Sequence, residues 1–217
     1  MLSVVSTPIG NLEDITFRAV RTLKEADVVV CEDTRTSRVL FDRYQIAPKR
    51  VDSFHGHSSP EKAAALARVA AESHVALISD AGTPGISDPG FVLIQECIKA
   101  GVKVVPVPGV SAAVTAASCS GLHVHHFLYL GFLPLKKGRH TLFTSLKEKE
   151  YPVVIYESVH RLESTLEDIQ DHFGAEHPVV VARELTKMFE EFVRLPVSEA
   201  RAHFKAKKPK GEFVILF

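Results

Sequence analysis

Short apolar runs rich in β-branched residues recur along the chain, with helical patterns between them. They fall at residues 2–6, 28–31, 75–79 and 104–107, and again at 127–132, 153–156 and 179–182. Unbroken runs of this length suit strands covered on both faces, so the sheet of the first half is predicted to be largely parallel. Polar starts mark the helices. Ser59-Pro60-Glu61 offers an N-cap, a proline at the first helical position and an early acid before an alanine-rich helix through Ser73. Asp88-Pro89 gives the same kind of start to a helix through Lys99, which Gly101 ends. A third helix is expected over 111–120, stopped by Gly121.

Beyond this point the pattern changes. The histidine-rich segment 122–126 is taken as a domain boundary. After it, helices are predicted over 139–149 and 161–173, the second closed by Gly174. Strands follow at 190–195 and 212–217, with an amphipathic helix over 198–207 between them. No internal repeat is present. The pattern predicts an α/β protein of two domains, 1–121 with a largely parallel sheet and 122–217.

Composition narrows the picture. A hydrophobic content of 46% over 217 residues is enough for a real core. The 26 basic and 26 acidic residues cancel, so a nucleic-acid site must be a local patch rather than a property of the whole surface. Cys31, Cys97 and Cys119 are isolated, which argues against a disulfide framework or zinc site and fits a reducing cytoplasm. The start, Met1-Leu2-Ser3-Val4-Val5, reads as a strand rather than an export signal. The uncharged stretch after Lys103 is broken by Pro106, Pro108, Gly109 and Gly121, so no membrane span is expected.

Four loops directly follow predicted strands of the first half, where open α/β sheets place their ligands. In the first, Thr7-Pro8-Ile9-Gly10-Asn11, Gly10 allows close backbone approach and Asn11 and Asp14 supply hydrogen-bonding groups; a plain strand-to-helix turn capped by Asp14 accounts for them equally. In the second, Glu32-Asp33-Thr34-Arg35 offers adjacent carboxylates that suit a base or a polar-substrate site, or simply a helix cap with a local ion pair. The third is Ser79-Asp80-Ala81-Gly82-Thr83-Pro84-Gly85-Ile86-Ser87-Asp88-Pro89-Gly90. Its three glycines and two prolines make a main-chain wall nearly free of side chains, suited to a flat or charged cofactor, yet it matches neither the Walker A nor the GxGxxG pattern. In the fourth, Pro108-Gly109-Val110-Ser111-Ala112, small residues open a helix and suit either a ligand or tight packing.

In the second half, Tyr156-Glu157-Ser158-Val159-His160-Arg161 and Ala182-Arg183-Glu184-Leu185-Thr186-Lys187 again set polar groups after apolar strands. His160 with Arg161, and Arg183 with Lys187, are candidate phosphate ligands. Basic stretches at 136–140 and 201–210 are candidate RNA contacts, although charge runs are more often solvated faces. His123, His125 and His126 have no thiol or acidic partner at a metal-binding spacing, and no metal is expected.

Taken together, Thr7-Pro8-Ile9-Gly10-Asn11-Leu12, Glu32-Asp33-Thr34-Arg35, the segment from Ser79 to Gly90, Pro108-Gly109, Ala182-Arg183-Glu184-Leu185-Thr186-Lys187 and Lys210-Gly211-Glu212 resemble the ribosomal RNA small-subunit methyltransferase I family, a branch of the tetrapyrrole-methylase superfamily. Six motifs in register over nearly the whole chain carry the likeness. It implies a class III fold of two αβα domains, the second with a mixed sheet, S-adenosylmethionine (SAM) in the cleft between them, a homodimer, and methyl transfer to the 2′-oxygen of a cytidine in the decoding region of 16S rRNA, in the small ribosomal subunit. By the same resemblance, Pro8, Asp80, Ala81, Gly82, Thr83, Gly85 and Ile86 line the SAM pocket, with Ser111 and Ala112 beside it and Tyr156, Glu157 and Ala182 closing over it. Asn11, Glu32, Asp33, Arg35 and Arg161 would face the RNA.

Two departures stand out: Val159 replaces the proline usual in the Glu-Ser-Pro-His-Arg pattern, and the chain stops at the 212–217 strand where many members continue. Mechanistically, Glu32, Asp33 or Glu157 is expected to accept or orient the proton of the ribose hydroxyl. A tetrapyrrole methylase and an inactive SAM- or RNA-binding module are the competing readings.

Overall fold

Val28 and Val30 project to one side of a strand and Val29 and Cys31 to the other, and all four are buried. Such a strand needs helices on both faces of its sheet, and the computed structural model supplies them. The structure describes residues 1–207 and 209–217; Lys208, within the basic stretch 201–210, lies outside the described residues. The chain divides into two compact units, Met1–Ser111 and Ala112–Phe217.

The first unit holds strands β1 (Leu2–Val5), β2 (Val28–Cys31), β3 (Val51–Ser53), β4 (Val75–Leu77) and β5 (Val104–Val107). Its helices are α1 (Phe17–Glu25), α2 (Thr34–Tyr44), α3 (Pro60–Glu72) and α4 (Gly90–Lys99). The strands form one parallel sheet in the order β3-β2-β4-β1-β5. Leu23, Leu40 and Phe41 of α1 and α2 pack on the Val29 side, and Leu66, Leu93 and Cys97 of α3 and α4 on the Val28 side. Chain connections from the adjacent strands β1 and β4 leave toward opposite edges, to β2 and β5, so their carboxyl ends form the switch point of the sheet.

The second unit begins with α5 (Ala112–Ser118) and continues through β6 (Leu128–Phe132), α6 (Arg139–Leu146), β7 (Val153–Ser158), α7 (Leu162–Phe173), β8 (Pro178–Arg183), β9 (Glu191–Pro196), α8 (Val197–Lys207) and β10 (Glu212–Leu216). Its sheet has the order β6-β7-β10-β8-β9, with only the β6–β7 pair parallel. Helices α6, α7 and α8 cover one face through Phe143, Leu166, Ile169 and Phe204, packed on Ile155, Val181 and Ile215. Helix α5 packs on β7 and β10, and Arg194 donates to the carbonyls of Cys119 and Ser120 just past its end. The contact division therefore groups α5 with the second unit, whereas the composition change places the boundary after residue 121.

The α/β class and the parallel and mixed sheets are as expected. Local differences have local causes. Strand β3, with a single apolar residue on the sheet edge, has no periodic signal. Asp88 is not the N-cap of α4: Pro89 holds that position, and the Asp88 carboxylate reaches back into the preceding loop. Thr16 rather than Asp14 caps α1, accepting from the Ala19 amide.

Candidate functional site

In the first unit, the switch point is closed by a bridge between two of the four candidate loops. The Thr7 amide donates to the Gly82 carbonyl at 2.9 Å and the Gly82 amide to the Thr7 carbonyl at 3.0 Å. The Thr7 hydroxyl donates to the Ser79 carbonyl, and Thr83 joins the third loop to Ser6 (2.9 Å) and to the Val110 carbonyl (3.1 Å). Gly82 (φ +79°) and Gly85 (φ +86°) take the left-handed backbone that this path requires. The Asp88 carboxylate, within 2.9 Å of the Gly85 amide and 2.7 Å of the Gly90 amide, ties the turn to the start of α4. Pro8 and Gly82 are buried in this framework, while Asp80, Ala81 and Ile86 are exposed on it. Ser111 ends the unit, half-buried.

Carboxylates gather beside this loop, at the ends of the neighbouring strands β2 and β4. Burial, then the charges of Asp80 and Asp88, push the Glu32 carboxyl above the usual carboxylate range. Loss of hydration likewise raises Asp80, whose Oδ1 accepts from the Asp33 amide at 3.0 Å. Asp33 differs: its side chain accepts from the Arg35 guanidinium and amide, which hold it down at about 2, and it caps α2. Arg35 is itself exposed, with its fork on Asp33. Asn11 caps the 3-10 turn Leu12–Asp14 by accepting from the Glu13 amide. The helix-cap reading is thus realised for Asp33, while in the first loop Asn11, not Asp14, is the capping residue, and Glu32 is the carboxylate whose affinity for a proton is raised by its surroundings.

In the second unit the strand pleat separates residues that are adjacent in sequence. Tyr156 lies on the α5 side, its hydroxyl accepting from the Ala113 amide at 3.3 Å, and Ala182, buried two residues from Val180, shares that face. Ala112 opens α5. Glu157 points the other way. Its carboxylate is fully buried and accepts from the Ser158 amide (2.8 Å), Arg161 (2.7 Å) and Thr165 (2.6 Å). Arg161 also donates to the Leu133 carbonyl, and Arg139 spans Thr165, Asp168 and the Pro134 carbonyl. Glu157 and Arg161 therefore join α7 to the β6–α6 connection and do not share a face with Tyr156 and Ala182.

Arg183 and Lys187 are similarly engaged. Arg183 donates to the Lys210 carbonyl at 2.7 Å and faces Glu191, while Lys187 sits between Glu184 (3.0 Å) and Glu212 (2.7 Å). The motifs at 182–187 and 210–212 are thus two halves of one interlocked turn. Residues whose sequence signal was missed include Ser6, at a strand end, and Asp88, hidden behind its resemblance to a helix cap. Among the described residues no group of three or more metal-ligating side chains comes together, and no helix is long and apolar enough to cross a membrane.

The family model described as Tetrapyrrole (Corrin/Porphyrin) Methylases matches residues 1–201. A curated relative from Thermotoga maritima, named ribosomal RNA small subunit methyltransferase I, is 45% identical over 99% of this chain and 96% of its own. Another with that name, from Halalkalibacterium halodurans, is 46% identical over 99% of this chain and 74% of its own. Among solved structures, uroporphyrin-III C-methyltransferase from Thermus thermophilus complexed with S-adenosylhomocysteine aligns over 99% of this chain and 96% of that one, with a TM-score of 0.70 and 22% identity. That likeness carries the fold.

Proposed function

Because the chain belongs to the tetrapyrrole methylase family, and within it matches ribosomal RNA methyltransferases over nearly its full length, we propose that it is a SAM-dependent methyltransferase of small-subunit rRNA. The near-full-length match to the Thermotoga maritima relative carries this reading. The acceptor we assign is the 2′-oxygen of a cytidine ribose in the decoding region of 16S rRNA. The protein would act as a homodimer in the cytoplasm.

The first unit has a loop that fits SAM. Exposed Ala81 and Ile86 flank a glycine-bearing main chain fixed by Thr7, Thr83 and Asp88, so a flat ligand meets a rigid backbone with few side chains to displace. Bound there, SAM supplies a methyl group made electrophilic by its sulfonium. Pro8, the segment from Asp80 to Ile86 and Ser111 are the residues of this unit that we assign to holding it. A ribose hydroxyl is a weak nucleophile while protonated, and Glu32 is the group we assign to take that proton. Its raised pKa makes it a stronger base than Asp33, which Arg35 keeps strongly acidic. Glu157, already saturated by three donors, is left a structural role.

The test is transfer of labelled methyl from SAM to undermethylated 30S subunits, run beside a porphyrin precursor. Label in the 16S rRNA alone is the expected result. Label in the precursor alone would return the chain to tetrapyrrole chemistry, and label in neither would make it a binding module.

A further inference from the structure

Strand β6 is the edge of the second sheet, and its pairing with β7 slips by one residue between Tyr129 and Gly131. Tyr129 pairs with Val154, but Gly131 pairs with Ile155 and Phe132 with Tyr156. Gly131 takes a left-handed backbone (φ +60°) at this bulge. An unbroken register would set Gly131 opposite Tyr156. The extra residue instead turns Phe132 onto the Tyr156 face while Leu130 and Leu133 stay with the core. Both rings then pack edge-on against Tyr156, Tyr129 at 5.3 Å and Phe132 at 5.7 Å. Tyr129 is half-buried, whereas Phe132 remains 56% exposed.

Next to Phe132 the chain is basic and fixed. No acid occurs from Phe132 to Lys147, and Lys136 and Lys137 are exposed. Two arginines hold the segment from below: Arg161 donates to the Leu133 carbonyl at 3.0 Å and Arg139 to the Pro134 carbonyl at 3.1 Å. Arg161 is in turn fixed by the buried Glu157. An exposed ring on a rigid strand, beside lysines on a pinned loop, is the pairing of stacking platform and phosphate contact that single-stranded RNA requires.

We infer that Phe132 is the platform on which a base of the substrate RNA stacks, beside Tyr156, with Lys136 and Lys137 holding the adjoining phosphates. This rests on the rRNA methyltransferase reading above and adds to it a substrate-positioning residue. Arg139, Arg161 and Glu157 serve it by presenting the loop.

The experiment compares wild-type protein with Phe132→Ala, Phe132→Tyr and Lys136→Ala/Lys137→Ala, measuring 30S binding, methyl transfer, SAM affinity by calorimetry and oligomeric state. Phe132→Ala is expected to weaken 30S binding about tenfold, with SAM affinity unchanged, and Phe132→Tyr to restore it. The double lysine variant is expected to flatten the salt dependence of binding by about two phosphate contacts. Unaltered 30S binding by Phe132→Ala overturns the inference. So does a parallel loss of SAM affinity, which assigns the ring to the cofactor, or a change of oligomeric state, which assigns it to a contact between copies. Wild-type protein that neither binds nor methylates 30S overturns the underlying reading instead.

Discussion

The carboxyl group of Glu184 occupies the space that a side chain at Gly211 would need, and Gly211 stands at φ +106°, where side chains are strained in any surroundings. Glu184 is itself left-handed (φ +51°), held there by Lys187 and by the Glu212 amide, which donates to its Oε1. Gly211→Ala is therefore expected to destabilise the protein by roughly 2 kcal/mol or more, through both the backbone and the clash. Denaturant titration checks this. Adding Glu184→Ala should relieve part of the clash and none of the backbone cost; full recovery in the double variant would contradict the backbone component.

Removing Arg161 leaves the Glu157 carboxylate buried without its cation. Arg161→Ala should cost about 3 kcal/mol in unfolding free energy, and Arg161→Lys less, since an ammonium can keep the charge but not the fork that also reaches Leu133. A loss below about 1 kcal/mol, the range of surface pairs, would show that the pair is worth little.

Asp88 shapes the candidate cofactor loop from beneath. Asp88→Ala should weaken SAM binding about tenfold or more, because charge-assisted hydrogen bonds to the Gly85 and Gly90 amides are lost. Asp88→Asn, which keeps one acceptor, should fall between. Calorimetric titration decides, and equal affinity in all three proteins would remove Asp88 from any part in SAM binding.

Glu32 is kept above its ordinary pKa by burial and by Asp80 and Asp88. An acid raised on folding favours the folded state only while protonated. Its penalty sets in as pH rises from the unfolded value of 4.5 through the folded one, and persists above. Glu32→Gln should thus raise the denaturation midpoint at pH 7, with the gain vanishing below about pH 4, while methyl transfer falls roughly 100-fold. Higher stability with undiminished transfer would leave Glu32 without a role in proton transfer.

For Asp33 the sign is reversed. Arg35 lowers its pKa to about 2, so its contribution is complete above the unfolded value of 3.8 and lost as pH falls through 2. Because the pair lies at the surface with Arg35 well exposed, Asp33→Asn should shift stability at pH 7 only slightly, and by less still near pH 2. Urea midpoints at the two pH values measure it.

Most of the elements, and the loops that end them, are readable from residue order alone. Runs such as 28–31 are apolar without interruption because both sheet faces are covered, and Ser59-Pro60 and Gly174 mark helix ends through local chemistry alone. The turn geometry of the glycine-rich segment 79–90 was legible because its backbone demands are written in residue type, as at Gly82 and Gly85. Which charged side chains are engaged by partners, by contrast, depends on long-range packing. Glu157, Arg161, Arg183 and Lys187 look like site residues in the linear pattern, yet their partners, from Leu133 to Glu212, lie up to 28 positions away and consume them. Phe132 shows the reverse. Nothing in its apolar run marks it for the surface, and a one-residue slip in strand pairing, which depends on how β6 meets β7 rather than on local propensity, turns it outward beside Tyr156.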